Sequence, residues 1–310
     1  VKQDTASATA RMIAAAVFLA AHDRSLAALV PPTAAEWSAR FLAHAPKGPL
    51  LMQSIRPALG RRAWTALEHV VQPGMIRHWL ARKIWIETRV RAAIDAGATR
   101  LVVVAGGLDT LGVRLALEHP SLRVTEIDHP ATQSIKRAAL GSNAPMRLEP
   151  CDLVHEPLCI DDDGDADGLP KDEAVGDRNG DGPSTIVLLE GLLMYLDDRQ
   201  VRALLGRILD CRASRLRMLA SVMVSRPDGS IGFEPRRPMV DWWLRMMREP
   251  FRSSLRAGDA DAFFSSIAND RHHWRVTAHA DATALERLGG GKPIARGEEV
   301  FECERVKIAG

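Results

Sequence analysis

One tyrosine, Tyr195, stands among 310 residues, and aromatic side chains together make up only 5% of the chain. Four cysteines, Cys151, Cys159, Cys211 and Cys303, are scattered without a C-x-x-C pair. That spacing argues against a disulfide scaffold or a zinc site and suits reduced thiols, so a cytoplasmic protein without metal is expected. No apolar run approaches the roughly 20 residues of a membrane span, so no membrane partner is expected. The net charge is +2 and no block of lysine and arginine occurs, which leaves no tract for nucleic acid. Also missing is G-x-G-x-x-G, the turn that cradles a dinucleotide pyrophosphate. Nothing in the pattern fixes an oligomeric state.

What is present reads as an ordinary globular α/β chain, with 46% hydrophobic and 26% charged residues and no internal repeat. Met12–Ala21 is short and apolar, but Asp4 precedes it and the run continues amphipathically through His22 and Asp23. It is expected to be a helix of the mature fold, not a secretory signal.

The organising stretch is VVVAGGLDTLGVRLA (102–116), followed by VTEIDHP (124–130). Leu101–Val104 is continuous and apolar, as a buried parallel strand should be, and it ends at Ala105-Gly106-Gly107. Asp109-Thr110 then opens an amphipathic helix. Leu122–Ile127 is a second strand, with Glu126 and Asp128 at its end. Strand, glycine turn, helix and acid-tipped strand form half of a doubly wound nucleotide fold, whose acid holds a ribose hydroxyl pair. An acid with so little phosphate-binding equipment suits a nucleoside without phosphates, S-adenosylmethionine above all.

Residues 1–98 read as helical: Thr5–Leu29, stopped by Pro31-Pro32, then Ala34–Ala43, Gly60–Val70 and Ile76–Ala96. On the last, Ile76, Leu80, Ile84, Val90 and Ile94 form the expected buried stripe, and Arg82, Lys83 and Glu87 read as a solvated face. Pro130–Leu140 is a helix and Met146–Leu148 a third strand, leaving Cys151-Asp152-Leu153 at a strand end. Asp161–Pro183 breaks the composition with DGDADG and DRNGDG. Both begin like calcium loops but carry Ala174 and Leu188 at the twelfth position, so an exposed acidic insertion is expected. Thr185–Leu189 is the fourth strand and runs into EGLLMYLDD (190–198). Val201–Leu209 is a helix and Arg217–Val224 the fifth strand. In the insertion Ser225–Asp270, Trp242, Trp243, Met246 and Met247 form an apolar helical cluster that suits a packed cap, a substrate wall or both. Trp274–Ala278, a helix through Leu288 and Val300–Ile308 complete the sheet.

TASATARMIAAA (5–16), ARKIWIE (81–87), the glycine-turn phrase, VTEIDHPATQSIKRAAL (124–140), CDL (151–153) and EGLLMYL (190–196) follow one another in a specific order. On them the chain resembles the leucine carboxyl methyltransferase family, class I S-adenosylmethionine-dependent O-methyltransferases that include polyketide carboxyl methyltransferases. The resemblance implies a Rossmann-like sheet of seven strands, the last antiparallel, with N-terminal helices and a helical cap inserted after strand five. Residues 1–98 would then be an N-terminal helical cap region and 99–310 the methyltransferase domain, interrupted at 161–183 and 225–270. It implies that Arg82 pairs with the cofactor's carboxylate and that Gly106 and Gly107 admit the backbone close to it. Asp128 would hold the ribose, Asp152 and Leu153 frame the adenine, and Glu190 bind near the amino group, with Asp109, His129, Cys151 and Gly191 alongside. Thr9 and Arg11 would close over the cofactor, and Tyr195 would be the catalytic contact to the acceptor. Trp242, Trp243, Met246 and Met247 would bind the substrate. Two departures from the family pattern stand out: the turn starts with Ala105 where glycine is usual, and Glu87 replaces aspartate.

The acceptor expected is a carboxylate of a small natural-product or polyketide-like acid, because a carboxylate is already ionised and needs no general base. A hydroxyl acceptor would need one, to be sought at His22, His272 or His273. A nicotinamide-dependent oxidoreductase and a non-catalytic nucleoside-binding protein are the alternatives from other classes.

Overall fold

The computed structural model describes residues 7–153, 155–158, 160 and 183–308. Its sheet contains β1 (Arg100–Val104), β2 (Arg123–Asp128), β3 (Arg147–Pro150), β4 (Thr185–Leu189), β5 (Leu216–Met223), β6 (His272–Ala280) and β7 (Glu298–Lys307). Their spatial order is β3-β2-β1-β4-β5-β7-β6. The first five strands run parallel, and β7 is antiparallel to both β5 and β6. This is the seven-stranded arrangement expected from the resemblance. The strand order reverses between β1 and β4, which opens a crevice beyond their carboxyl ends. Both strands are buried at every position, which is why they read as unbroken apolar runs.

Alternate residues of β1 feed two cores. Leu101 and Val103 join the cluster built with the N-terminal helices, whereas Val102 and Val104 join the one on the opposite face. The first face is covered by α1 (Ala8–Ala21), α2 (Ala34–His44), α3 (Gly48–Ile55) and α5 (Met75–Asp95), with α6 (Leu111–Glu118) and α7 (Pro130–Leu140). Between α3 and α5 lies α4 (Ala58–Val71), which buries no residue. The other face carries α8 (Asp198–Leu209), started by a reciprocal capping box between Asp197 and Gln200. In the segment between β5 and β6 stand α9 (Pro238–Met246) and α10 (Ala260–Ser265), and α11 (Ala282–Leu288) connects β6 to β7.

Four local expectations need correction. The first helix stops at Ala21, not Leu29: the Asp23 side chain accepts from the Ser25 amide and turns the chain. Helices α3 and α10 are short and lack the periodicity that would reveal them. On α5, Ile86 is buried where Ile84 and Ile94 are only half-buried. The charged residues of α5 are not a solvated face: Arg82 and Glu87 are buried, each opposite a partner brought by another element. Such burial is tolerable only because the charges are paired. The acidic insertion with its two calcium-like phrases, Thr5 and Cys159 lie outside the described residues. Among the described residues, no helix is long and apolar enough to cross a membrane.

Candidate active site

A cavity of about 920 Å³ opens beyond the carboxyl ends of β1, β2 and β4. That is near the upper end for single-ligand sites, roughly 300–1,000 Å³, so the volume suits a nucleoside and an acceptor together. All the cofactor-site residues expected from the sequence line it: Arg82, Gly106, Gly107, Asp109, Asp128, His129, Cys151, Asp152, Leu153, Glu190 and Gly191.

The glycine turn sits where the sheet meets α1. A Cβ at Gly106 would lie 2.8 Å from Val103 Cγ1, and one at Gly107 would lie 2.9 Å from Ala10 Cβ. Helix α1 therefore roofs the turn, and only glycine fits beneath it. Ala105 occupies the left-handed region at φ 54°, a conformation that suits the glycine usual in the family. At the tip of β2, Asp128 accepts from the Gly107 amide at 2.7 Å and the His129 amide at 2.6 Å. Burial raises its carboxyl above the ordinary value, against those two hydrogen bonds and the Lys136 charge. A carboxylate offers about four acceptor positions, so two remain for ribose hydroxyls. Beneath the turn, Glu126 meets Lys136 at 2.6 Å, yet burial pushes its carboxyl up to about 7.

The floor is a charge cluster. Arg82 Nη1 meets both oxygens of Glu298, at 2.7 and 2.6 Å, while its Nε lies 3.0 Å from Glu190. Lys83 reaches Asp109 at 2.5 Å and Glu190 at 3.0 Å. Burial opposes ionisation of the acids, but Arg82 and His78 hold Glu298 down to about 2, and Lys83 holds Asp109 below the usual range. At the third strand's end, Asp152 pairs with His155 at 2.8 Å, and the Cys151 amide donates to the Asp128 carbonyl.

Farther along the cavity, Tyr195 closes a 3-10 turn (Leu193–Tyr195). Burial pushes its phenol well above the ordinary value, and it hydrogen-bonds Thr9. Thr9 in turn donates to Glu249 at 2.6 Å, and Glu249 also accepts the amides of Ala8 and Thr9. A carboxylate from the insertion thus caps the start of α1. Trp242 and Trp243 line the cavity, as do Trp64 and Trp79. Met246 and Met247 are not among the lining residues: α9 turns Trp243 and Leu244 toward the cavity and Met246 outward. Thr9 lines the cavity but Arg11 does not. Nor do His22, His272 and His273: His22 binds the Phe18 carbonyl near the end of α1, and the other two begin the edge strand β6.

Sequence reasoning missed Lys83, Glu298, Glu249, Trp64 and Trp79. Lys83 adjoins Arg82 and could have been found by asking which acids it would meet. Trp79 lies two residues before ARKIWIE and Glu249 two after Met247, whereas Trp64 and Glu298 lie far in sequence from every motif. Among the described residues no group of His, Cys, Asp and Glu is arranged to hold a metal ion.

The sheet, with an antiparallel closing strand, a roofed glycine turn and an acid-tipped second strand, is that of a class I methyltransferase. Half-satisfied Asp128, the charged floor and the lack of a pyrophosphate cradle fit S-adenosylmethionine, the cofactor of this class. The chain belongs to the leucine carboxyl methyltransferase family, whose sequence pattern it matches over residues 5–209. It is 29% identical over 202 residues to a candidate S-adenosyl-L-methionine-dependent methyltransferase of Mycobacteroides abscessus. That match covers 64% of this chain and 58% of the relative, so the chain spans less than two thirds of that protein. Among solved structures, a candidate methyltransferase of Thermobifida fusca shares the fold at 16% identity and a TM-score of 0.52. The overlap covers 87% of this chain and 94% of that one.

Proposed function

We propose that this protein transfers a methyl group from S-adenosylmethionine to a carboxylate of a small natural-product or polyketide-like acid with a bulky apolar body. The observation that carries the reading is the state of the titratable groups at the acceptor end. Tyr195 is held protonated by burial, Glu249 is taken by the start of α1, and Glu68 accepts from the Ile76 amide at the start of α5. His129 accepts the Ala131 amide on Nδ1 at the tip of β2, and His155, whose Nδ1 meets Asp152 and whose Nε2 stays free, stands beyond the tip of β3, where the adenine is proposed to lie. The bases proposed to face the acceptor, Tyr195, Glu249 and Glu68, are therefore each protonated or engaged among the described residues. A hydroxyl would need a free base, whereas a carboxylate arrives ionised.

The cofactor supplies an electrophilic methyl on a sulfonium. The chain's part is to position and to exclude water. Asp128 accepts from the ribose hydroxyls, Asp152 and Leu153 frame the adenine, Arg82 and Lys83 face the cofactor's carboxylate, and Glu190 faces its ammonium. Trp64, Trp79 and Trp243 cover the acceptor's apolar body. Arg252, whose side chain has no partner among the described residues, offers its charge from the cavity wall. Its amide is anchored to the Met194 carbonyl at 2.7 Å, which keeps it beside Tyr195.

The test is to label the product with a tritiated methyl group and treat it with mild alkali. Release of volatile methanol is expected for an ester, with a rate nearly flat from about pH 6 to 8. Retention of the label would move the acceptor to a hydroxyl or amine.

A further inference from the structure

Arg82 is bound by two carboxylates that differ in freedom. Glu298 is wholly buried, and it accepts from Arg82, from His78 at 2.9 Å and from the Ser221 hydroxyl. Donors from α5 and β5 close around it, leaving it nowhere to turn. Glu190 uses one oxygen only: Oε1 takes Arg82 Nε, Arg82 Nη2 at 2.8 Å and Lys83. Its Oε2 has no partner among the described residues, and the side chain lines the cavity. Gly191, which lines the same cavity, lies against the guanidinium end of Arg82, where a Cβ would stand 3.9 Å from Nη2 and 4.0 Å from Nη1.

We propose that Glu298 is the fixed anchor that positions Arg82, and that Glu190 is an exchangeable partner occupying the guanidinium edge meant for the cofactor's carboxylate. When the amino-acid tail enters, Glu190 gives up that edge and turns to the ammonium, an exchange of ion pairs that leaves no buried charge alone. Without Glu298, Arg82 would hang on Glu190 alone, and that exchange would release the guanidinium from its place. His78 supports the arrangement by donating to Glu298. The inference rests on the cofactor half of the proposed function and is indifferent to the acceptor.

Calorimetry with two nucleosides tests it: S-adenosylhomocysteine, which has the amino-acid tail, and 5′-methylthioadenosine, which shares the adenosine and thioether but lacks the tail. Glu298→Gln should weaken S-adenosylhomocysteine about tenfold and leave methylthioadenosine unchanged, with Glu298→Asp restoring part of the loss. A merely structural role would weaken both nucleosides together, and that result, or wild-type affinity for both, overturns the proposal. If Glu298→Gln does not fold, His78→Leu should show the same selectivity at about threefold, and the absence of selectivity there also overturns it. Failure of the cofactor reading itself would show in the wild type, as binding of neither nucleoside.

Discussion

At the end of the cavity where the cofactor is proposed to sit, Arg82, Lys83, Asp109, Glu190 and Glu298 come from α5, the β1–α6 turn, the tip of β4 and the start of β7, and each meets an opposite charge. At the end proposed for the acceptor, α4 buries no residue, α9 buries only Leu244, and Leu67, Val70 and Trp242 stay exposed. The first region is over-determined by long-range ion pairs. The second is held by few contacts and made of flat or flexible apolar side chains, as would suit the apolar acceptor proposed above.

The contrast can be broken at either end. Asp128→Ala should have the largest effect, costing about 1.5–3 kcal/mol of cofactor binding in calorimetry, the range for hydrogen bonds to a charged group. An unchanged affinity in a folded variant would remove Asp128 from the ribose site. Glu126 comes next, through pH. Its native value of about 7 lies above the reference 4.5, so the native state binds more protons than the unfolded one between those values. This stabilisation is complete below 4.5 and is lost as the pH rises through 7. Urea midpoints of the wild type should fall across that window, and those of Glu126→Gln should fall less. At the apolar end, Trp243→Ala should raise KM for the acceptor about fivefold and leave cofactor affinity untouched. A matching loss of cofactor affinity would show the two ends to be one unit. The smallest effect belongs to Ala105→Gly. Relief of the left-handed alanine, set against the entropy of glycine, should raise the unfolding free energy by about 0.5 kcal/mol.

The same contrast explains what could be read from the amino-acid sequence. The glycine turn, Asp128, the CDL tip and EGLLMYL are local signals tied to strand ends, and the residues they named all line the cavity. Thr185–Leu189 and Pro130–Leu140 emerged with their observed limits because buried β-branched runs and a proline-started helix are local patterns. Glu298 was not legible: it opens the last strand 216 residues after Arg82, and an isolated glutamate there looks like any strand-end charge. Met246 and Met247 were placed by composition, yet which face of α9 turns inward is decided by Leu244, a tertiary fact. The burial of Arg82 and Glu87 was hidden similarly, since an amphipathic pattern assigns charges to water unless their partners are known.

The tie between Glu249 and the start of α1 also sets a timetable. A chain made from its N-terminus forms α1 early, but the carboxylate that caps it follows 240 residues later. Glu298 trails Arg82 by nearly as much, and it enters on β7, which must slot between β5 and β6. During synthesis the nascent sheet therefore carries a helix capped by Ser7 alone and a buried guanidinium short of one partner. Contacts so distant along the chain form slowly, and they close last. The anchor of the charged floor is completed after the roof over the glycine turn, so a growing chain has no finished cavity until β7 is in place.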